Sequence, residues 1–366
     1  MSARHLYLHL PFCASRCGYC DFVTVVGRSG QHEAYVDALL AELALERGLL
    51  APRPDSVFLG GGTPTLTEPT ALARLLRALP DAEEVTVEAN PETVTRELAA
   101  LLREDGVTRV SLGAQSFQPR LLDVLERRAR PTDVRRAFAV LRAAGFDNLS
   151  LDLIYGIPGQ TPADLDADLD EALALGPEHV SAYELEAKPG TRFTHAHGKE
   201  LARQAEAMET YFERVVERLT EAGYRWYETA NFCRLPAGRD LRSRHNLAYW
   251  RGRDYLGLGI GAVSTIEGRR WRTTPRLGPY LAALQAGERP QREIEELSPP
   301  VRRSERVLLG LRLDEPLALD GLEEALDAAA LSRLRRQGLV AEGEGSLSLT
   351  ERGRFLGGGV TVELLA

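Results

Sequence analysis

The chain has 366 residues, of which 44% are apolar and 27% charged, and its formal net charge is −8. This length allows one large domain or two unequal ones with a sizeable core. The acidic balance argues against a general nucleic-acid binder, which usually carries a basic excess. No run is apolar and long enough to cross a bilayer, and the first residues turn polar too soon for a signal peptide, so we expect a cytoplasmic protein.

Short β-like runs alternate with amphipathic helical runs through the first two thirds of the chain. The candidate strands are 5–12, 56–62, 84–90, 109–117, 148–156 and 179–186, and the helical runs include 34–48, 97–105, 133–145 and 164–176. Six strand–helix units in series predict a parallel sheet with right-handed crossovers. We expect a partial (βα)6 TIM-like barrel rather than an open doubly wound sheet, because many converging loops fit a curved sheet better.

The pattern changes after a long helix predicted over 200–223. Residues 224–232 and 255–268 have the pattern of further strands with glycine punctuation, and 285–300 has the composition of a linker. Beyond about residue 301, helical runs followed by a hairpin-like segment at 339–353 predict a small winged-helix-like α/β module. We therefore expect three parts, which are the barrel at 1–232, an extension at 233–298 and the small module at 299–366.

Three of the four cysteines, Cys13, Cys17 and Cys20, lie in one loop directly after the first candidate strand. Structural zinc usually takes four protein ligands, often as two separated pairs, and a redox dithiol needs only two cysteines. Three thiolates on one loop can instead hold three corners of a 4Fe–4S cluster, which leaves one iron open to another ligand. The spacing favours the cluster over zinc. Cys233 lies far away and is expected to be a buried apolar residue.

The C-x3-C-x2-C spacing after a first β-strand resembles the radical S-adenosylmethionine (SAM) superfamily, and Tyr19 matches the aromatic residue that this family places before the third cysteine. The strings LYLHLPFC, FLGGGTPT, SLGAQSF, LDLIYGIPGQT, HNLAYW and YLGLGIGAVS resemble its coproporphyrinogen dehydrogenase-like branch over nearly the whole chain. In this superfamily the open iron holds the amino and carboxylate groups of SAM, and an electron from the cluster breaks a C–S bond of SAM. The resemblance therefore implies a 4Fe–4S cluster and SAM as cofactors.

The same resemblance implies a set of SAM-binding residues around the cluster. They are an aromatic hydroxyl before the first cysteine, a residue after the third, a glycine-rich turn, two acids, a glutamine and an arginine, namely Tyr7, Phe22, Gly61, Gly62, Thr63, Glu88, Gln115, Arg127 and Asp152. Acids suit hydroxyl or ammonium groups, and an arginine suits a carboxylate. Without the resemblance, the glycines would form a tight turn beside a helix cap at Thr65 or Thr67, and Arg127 would be an exposed helix charge.

Two kinds of protein in this branch differ close to the cysteines. The coproporphyrinogen III dehydrogenases have a fourth cysteine two residues after the third, where this chain has Phe22, and they have an extension before the first strand. The haem chaperones have phenylalanine there and an H-N-x-x-Y-W motif, which in this chain is His245, Asn246, Tyr249 and Trp250. A neutral imidazole can ligate haem iron and aromatic rings can pack on a porphyrin. By themselves, these residues are explained more simply by turn hydrogen bonds and core packing.

We therefore expect a haem chaperone that binds haem, a 4Fe–4S cluster and SAM and delivers haem to haem-requiring proteins. Radical decarboxylation of coproporphyrinogen III is the alternative, and a nucleic-acid-modifying enzyme is a distant third that the acidic charge disfavours. The expected partners are haem and haem-requiring clients, with membrane-bound respiratory enzymes and a second copy of the chain as candidates, and no nucleic acid. A peripheral position at the inner face of the membrane is a variant of the cytoplasmic location.

Overall fold

The computed structural model describes residues 2–188 and 192–366. Its central element is a nine-stranded sheet in which six parallel strands follow one another in chain order: β1 His5–Leu10, β2 Ser56–Gly61, β3 Glu84–Ala89, β4 Arg109–Gln115, β5 Leu149–Tyr155 and β6 His179–Glu184. Leu8 lies opposite Leu59 at one side of this row, and Leu151 lies opposite Val180 at the other. The arrangement confirms the six parallel strands of the predicted partial barrel.

Three shorter strands complete the sheet: β7 Arg225–Trp226, β8 Asn231–Cys233 and β9 Leu256–Leu258. Strand β9 pairs in parallel with the outer side of β1, whereas β8 runs antiparallel to β6 and β7 runs antiparallel to β8. The order is therefore β9-β1-β2-β3-β4-β5-β6-β8-β7, with β9 and β7 at the two edges. The barrel is incomplete, and the predicted extension contributes β9 to its sheet.

Helices follow each of the parallel strands in the chain, as expected of βα units. Their bounds are α1 His32–Glu46, α2 Pro69–Ala78, α3 Arg96–Glu104, α4 Pro119–Val124, α5 Pro131–Ala143, α6 Pro162–Leu175, α7 Arg192–Gln204 and α8 Met208–Glu221. Helices α1 to α6 connect the parallel strands, and α7 and α8 follow the last of these strands. Helix α6 illustrates the local signals: Thr161 accepts a hydrogen bond from the backbone N–H of Asp164, whose carboxylate accepts one in return from that of Thr161. Gly176 ends the helix at φ 66°. This reciprocal cap and left-handed stop fix both ends of the helix.

The single helix predicted over 200–223 is wrong, because a 3₁₀ turn, Ala205–Ala207, separates α7 from α8. Two side chains on either side of the turn dock on the same carbonyl group. Gln204 donates to the carbonyl oxygen of Gln160 at 3.3 Å, and the hydroxyl of Tyr211 donates to that oxygen at 2.8 Å. Docking of both segments on the loop after β5 changes the direction of the chain, which helical periodicity alone does not reveal.

The extension contains helices α9 Arg244–Trp250 and α10 Leu277–Gln285 and a three-stranded antiparallel sheet of β10 Val263–Ile266, β11 Arg269–Thr273 and β12 Arg292–Glu296. The predicted linker at 285–300 is therefore wrong for 292–296. Strand β12 pairs with β11 along its whole length, with Ile294 opposite Trp271. A charged edge strand with one apolar residue has a linker-like composition, and only its partner strand makes it regular.

The C-terminal module consists of α11 Pro299–Gly310, β13 Leu317–Ala318, α12 Ala328–Arg336, β14 Val340–Gly343, β15 Ser346–Leu349, α13 Glu351–Phe355 and α14 Gly357–Glu363. It has its own apolar cluster, which includes Val307, Leu334, Leu347 and Val360. A small C-terminal α/β module is confirmed, whereas the domain boundaries after residues 232 and 298 stay predictions. Across the described ranges, every helix is too short or too polar to traverse a bilayer.

Candidate cofactor site at the strand ends

One cavity of about 1040 Å³ opens at the C-terminal ends of the parallel strands. It brings together most of the residues that the sequence singled out, which are Cys13, Cys17, Cys20, Phe22, Gly61, Gly62, Thr63, Glu88, Gln115, Arg127, Asp152, Asn246, Tyr249 and Trp250. Tyr7 and His245 lie behind its wall. Parallel α/β sheets concentrate ligand-binding groups at these strand ends, since the connecting loops meet there.

The cysteine loop begins at Cys13 and turns between Cys17 and Cys20, where the Cys20 N–H donates to the carbonyl oxygen of Cys17 at 3.2 Å. All three thiols are free and half-buried. Burial raises the pKa of Cys13 and Cys20, while hydrogen bonds from Thr63 and from the backbone of Phe22 partly oppose it. Within the described residues, no three His, Cys, Asp or Glu side chains are grouped to hold a metal ion.

The thiol donors nevertheless fit an iron–sulfur cluster better than a closed four-ligand site. Three thiols line one cavity on a single loop, while Cys233 is fully buried on β8, as predicted, and faces Tyr227 and Leu241 instead. A positive charge accompanies the thiols, because the Arg127 guanidinium donates to Cys17 Sγ at 3.8 Å. Thiolates with a nearby cation and N–H donors, and with one corner left open, are what a 4Fe–4S cluster with an exchangeable ligand requires.

The glycine-rich turn after β2 packs against the start of the cysteine loop. The backbone N–H of Gly62 donates to Leu10, and that of Thr63 donates to Phe12, both at 2.8 Å. Gly61 has φ 108°, and a Cβ there would lie 2.4 Å from the His9 ring. The lack of side chains thus lets the turn approach the neighbouring strand, which holds Thr63 beside Cys13.

A hydrogen-bonded chain links two of the thiols through Asn90, a residue at the end of β3 to which the sequence assigned no role. Asn90 donates to Thr63 Oγ1 at 2.9 Å, and Thr63 Oγ1 lies 3.6 Å from Cys13 Sγ. On its other side, Asn90 accepts from Arg127 at 2.7 Å, and Arg127 in turn contacts Cys17. Asn90 therefore positions groups on both sides of the cysteine loop. Its place at a strand end was the available signal.

Replacing Asn90 by alanine should lower the reduction potential of the reconstituted cluster by roughly 60 mV, which is one tenfold step for a one-electron couple. The physical reason is that hydrogen bonds and positive charge near cluster sulfurs stabilise the reduced state, and Arg127 would lose its partner. A redox titration followed by electron paramagnetic resonance, with iron content as a check on loading, measures this. Gln337→Ala, at an exposed position in the C-terminal module, should leave the potential unchanged. An unaltered potential in the Asn90 variant would contradict the positioning role.

Half-buried carboxylic acids line the floor of the cavity. Burial, together with the neighbouring charge of Asp152, raises the pKa of Glu88 to about 7, although the Gly61 N–H donates to Glu88 at 3.0 Å. Burial also raises the pKa of Asp152, against hydrogen bonds from Ser111 at 3.0 and 3.1 Å. Because the pKa of Glu88 lies near neutral pH, a cationic ligand above it would favour its carboxylate form.

Gln115 reaches the cavity through an irregular strand end. Its φ is 65°, which is a left-handed conformation that residues other than glycine rarely adopt, and the pairing of β4 with β5 shifts register between Gly113 and Gln115. Arg127 donates to the Gly113 carbonyl oxygen at 3.0 Å from the loop that follows α4. Strained residues and bulges often occur beside functional sites, because they turn a side chain into the site that a regular strand would point away from it.

The HNLAYW motif forms helix α9, and Ser243 caps it by accepting a hydrogen bond from the Asn246 N–H at 3.3 Å. Asn246, Tyr249 and Trp250 reach the cavity. His245 is only 2% exposed, and its two ring nitrogens lie 3.3 Å from Ser56 Oγ and 3.0 Å from Tyr249 Oη. Burial lowers its pKa to about 3, so the ring is neutral at physiological pH.

Tyr7 lies deeper than its predicted role requires. Its hydroxyl is 3.0 Å from His9 Nδ1. Its ring stacks with the rings of Phe58 and His245, at centroid distances of 6.2 and 6.1 Å. Its role at the cluster stays a prediction. Phe22, in contrast, is 62% exposed and presents its ring to the cavity.

The far end of the cavity is built by residues that sequence patterns did not select. They come from α8, from the region of the edge strand β7 and from the C-terminal module, and include Phe212, Trp226, Glu228, Arg312, Arg354 and Phe355. These residues fall into two groups that are far apart in the chain, and none belongs to a motif with regular spacing. Only the tertiary structure brings them to the same cavity as the cysteines.

The fold and the cysteine site together define a protein of the radical SAM type. A family model described as Radical SAM superfamily matches residues 7–172, and one described as HemN C-terminal domain matches residues 297–356. A solved structure of coproporphyrinogen III oxidase (HemN) from Escherichia coli has the same fold, with a TM-score of 0.83, 24% identity, and coverage of 99% of this chain and 90% of that one. The family implies a 4Fe–4S cluster and SAM.

Sequence comparison places the chain more narrowly. It is 39% identical to the heme chaperone HemW of Mycobacterium tuberculosis, over 98% of this chain and 94% of that protein. It is 34% identical to HemW of Bacillus subtilis, with 96% of each chain covered, and 33% identical to HemW of Escherichia coli, with 96% and 95% covered. The chain belongs to the HemW family of the radical SAM superfamily.

Proposed function

We propose that this chain is a haem chaperone, which binds haem in the cavity at the strand ends and passes it to haem-requiring proteins. The observation that carries the proposal is likeness over 98% of the chain to a protein named heme chaperone HemW. Membrane-bound respiratory enzymes are the clients we propose first, since they are the haem-requiring proteins associated with this family. The expected homodimer stays a prediction.

The shape of the cavity supports a site for two ligands. One end carries the three cysteines and the floor acids, and the other carries aromatic side chains from the extension and the C-terminal module. Its volume of about 1040 Å³ is at the upper limit for pockets that hold one small molecule. SAM at the cysteine end would therefore leave room for a flat macrocycle against Tyr249 and Trp250.

At the cysteine end, we propose that Cys13, Cys17 and Cys20 hold a 4Fe–4S cluster, which supplies single electrons when it is bound. Glu88 and Asp152 lie below the space that SAM would occupy, and their carboxylates would balance its positive charge. Arg127, which also donates to Asn90 and Gly113, would pair with its carboxylate group. Phe22 would shield this region from water.

Ligation of haem iron by His245 stays a prediction, and it requires a side chain beside His245 to move. The imidazole is neutral, which is the form that binds iron. The nitrogen that would face the cavity is hydrogen-bonded to Tyr249, so this hydroxyl would have to move before iron could bind. Asn246, Tyr249 and Trp250 need no such movement to contact a porphyrin.

The alternative, decarboxylation of coproporphyrinogen III, has less support. The likeness to the oxidase HemN is at 24% identity and extends to the fold alone. Two residues beyond Cys20, where the dehydrogenases have a fourth cysteine, this chain has an exposed phenylalanine ring, which cannot supply a thiolate.

The proposed function is tested with protein that has been reconstituted anaerobically with iron and sulfide. Separate samples are then incubated with haem and with coproporphyrinogen III. We expect about one haem per chain, measured by Soret absorbance after gel filtration, and its transfer to a purified haem-free acceptor protein. Coproporphyrinogen III should be recovered unchanged in the presence of SAM and a reductant. Formation of protoporphyrinogen IX, or failure to bind haem, would overturn the proposal.

A further inference from the structure

The end of the cavity away from the cysteines has an aromatic wall, whose rings meet edge-to-face or tilted. The ring of Trp226 lies 5.6 Å from Phe212 and 5.2 Å from Phe355, measured between centroids, and Phe212 lies 5.5 Å from Phe355. Leu308 and Leu311 add aliphatic surface from α11 and the residue after it. A wall of this kind suits a flat apolar molecule.

Two arginines stand at this wall, each stacked on a tryptophan. The guanidinium carbon of Arg354 lies 3.6 Å from the Trp226 ring centroid, and that of Arg312 lies 5.0 Å from the Trp250 ring centroid. Arg354 also donates to the carbonyl oxygen of Trp226 at 2.8 Å. Among the described side chains, no carboxylate is within ion-pair distance of either guanidinium. Each arginine therefore lines the cavity without an anionic partner among the described residues.

Three acidic groups, Glu228, Asp314 and Glu351, are near enough to influence Arg354, and the first two already have other partners. Glu228 is fully buried, accepts hydrogen bonds from the Ala230 N–H and from Asn231, and has its pKa raised by burial. Asp314 is ion-paired with Arg225 at 2.6 Å. The local balance at the wall is thus positive. Burial lowers the pKa of Arg354 to about 10 although these acids oppose the shift, so the guanidinium is still charged at neutral pH.

We propose that Arg312 and Arg354 form an anion subsite for the two carboxylates of a flat apolar macrocycle, the propionates of haem. This inference rests on the proposed function and adds to it a ligand orientation: the carboxylate edge faces the C-terminal module, and the opposite edge faces the cysteines. An arginine that is preorganised by stacking binds a carboxylate through charge-assisted hydrogen bonds. The C-terminal module then recognises the ligand, since it supplies both arginines.

The test compares haem with haem dimethyl ester, in which both carboxylates are masked. Affinities of the full-length reconstituted protein are measured by Soret titration. Because charge-assisted pairs contribute about tenfold or more in affinity each, wild type should prefer haem over the diester by roughly tenfold to a hundredfold. The variant with Arg312→Gln and Arg354→Gln should bind haem as weakly as the diester. Arg352→Gln, an exposed change on the same helix as Arg354, should keep the preference.

The outcomes separate this inference from the function on which it rests. Haem binding by wild type with equal affinity for the diester would overturn the subsite and leave the chaperone proposal standing. No binding of either compound would overturn the chaperone proposal itself. The comparison within wild type needs no substitution, so loss of folding in a variant cannot decide the result. Unchanged discrimination in a folded double variant, checked by circular dichroism, would also refute the subsite.

Discussion

Changing Cys17 to serine is expected to remove the iron–sulfur cluster almost completely. Iron and acid-labile sulfide should fall from about four of each per chain to near zero after anaerobic reconstitution, with loss of the brown colour. The reason is that the three thiols on one loop supply the protein ligands, and loss of the middle one leaves only two. Cys17 is also the thiol that contacts Arg127, at 3.8 Å, so its loss disturbs the surrounding network as well.

The matched control is Cys233→Ala, because Cys233 is a free cysteine that is fully buried on β8. This variant should retain the full complement of iron and sulfide. Normal cluster content in the Cys17 variant would contradict the ligand assignment. One zinc per wild-type chain, with neither iron nor sulfide taken up, would contradict the cluster itself.

Changing Arg109 to methionine is expected to cost about 3–5 kcal/mol in the free energy of unfolding at pH 8, which is typical when one member of a buried charge group is removed. Arg109 is 2% exposed on β4, and its positive charge acts on the buried carboxyl groups of Glu84, Glu88 and Asp152. Methionine keeps much of the volume but leaves the three carboxyl groups without this cation. Urea unfolding of wild type and variant at equal cofactor content measures the difference.

The deficit of the Arg109 variant should be smaller at pH 6 than at pH 8. Burial already raises the pKa of these three acids above the values of the unfolded chain, and that of Glu88 to about 7. The folded state therefore binds more protons than the unfolded state, so stability lost at high pH returns as pH falls through the raised pKa values. Without Arg109, the pKa values rise further and this return is larger. Arg96→Met, at an exposed position, should change stability by less than about 0.5 kcal/mol at both pH values.

A deficit of less than 1 kcal/mol, or one of equal size at the two pH values, would show that Arg109 does not compensate the negative charge of these carboxyl groups. Such a result would also mean that the acids of the cavity floor do not depend on the charge of Arg109 in the barrel interior. In that case Glu88 and Asp152 would depend on hydrogen bonds, which come from Gly61 to Glu88 and from serine hydroxyls to Asp152.

Much of the barrel could be predicted from the sequence because its signals are local. Apolar strand runs, helical periodicity and caps such as Thr161 are each contained within a few residues. The six parallel strands and the small C-terminal module are confirmed for this reason. The errors occurred where a distant contact decides the local structure, as at Gln160, which receives segments on both sides of the turn after α7, and at β12, which is regular only beside β11.

The candidate site divides in the same way. Its cysteine end could be proposed from spacing, because three cysteines within eight residues must lie close together in any fold. The far end could not, because Trp226, Arg312 and Arg354 are separated by tens to more than a hundred positions and share no motif. The motif residue His245 shows the limit of pattern alone, since sequence cannot tell a side chain that reaches the cavity from one that lies behind it.

The sequence by itself determined the cysteine trio, the order of the βα units and the likeness to a family, since each depends on residues that are neighbours along the chain. Only the tertiary structure decided that Asn90 connects two of the thiols, that His245 is enclosed by Ser56 and Tyr249, and that two arginines face an aromatic wall. The physical reason is that burial and hydrogen-bond partners are set by strand pairing and packing between distant segments, which have no signature in local composition.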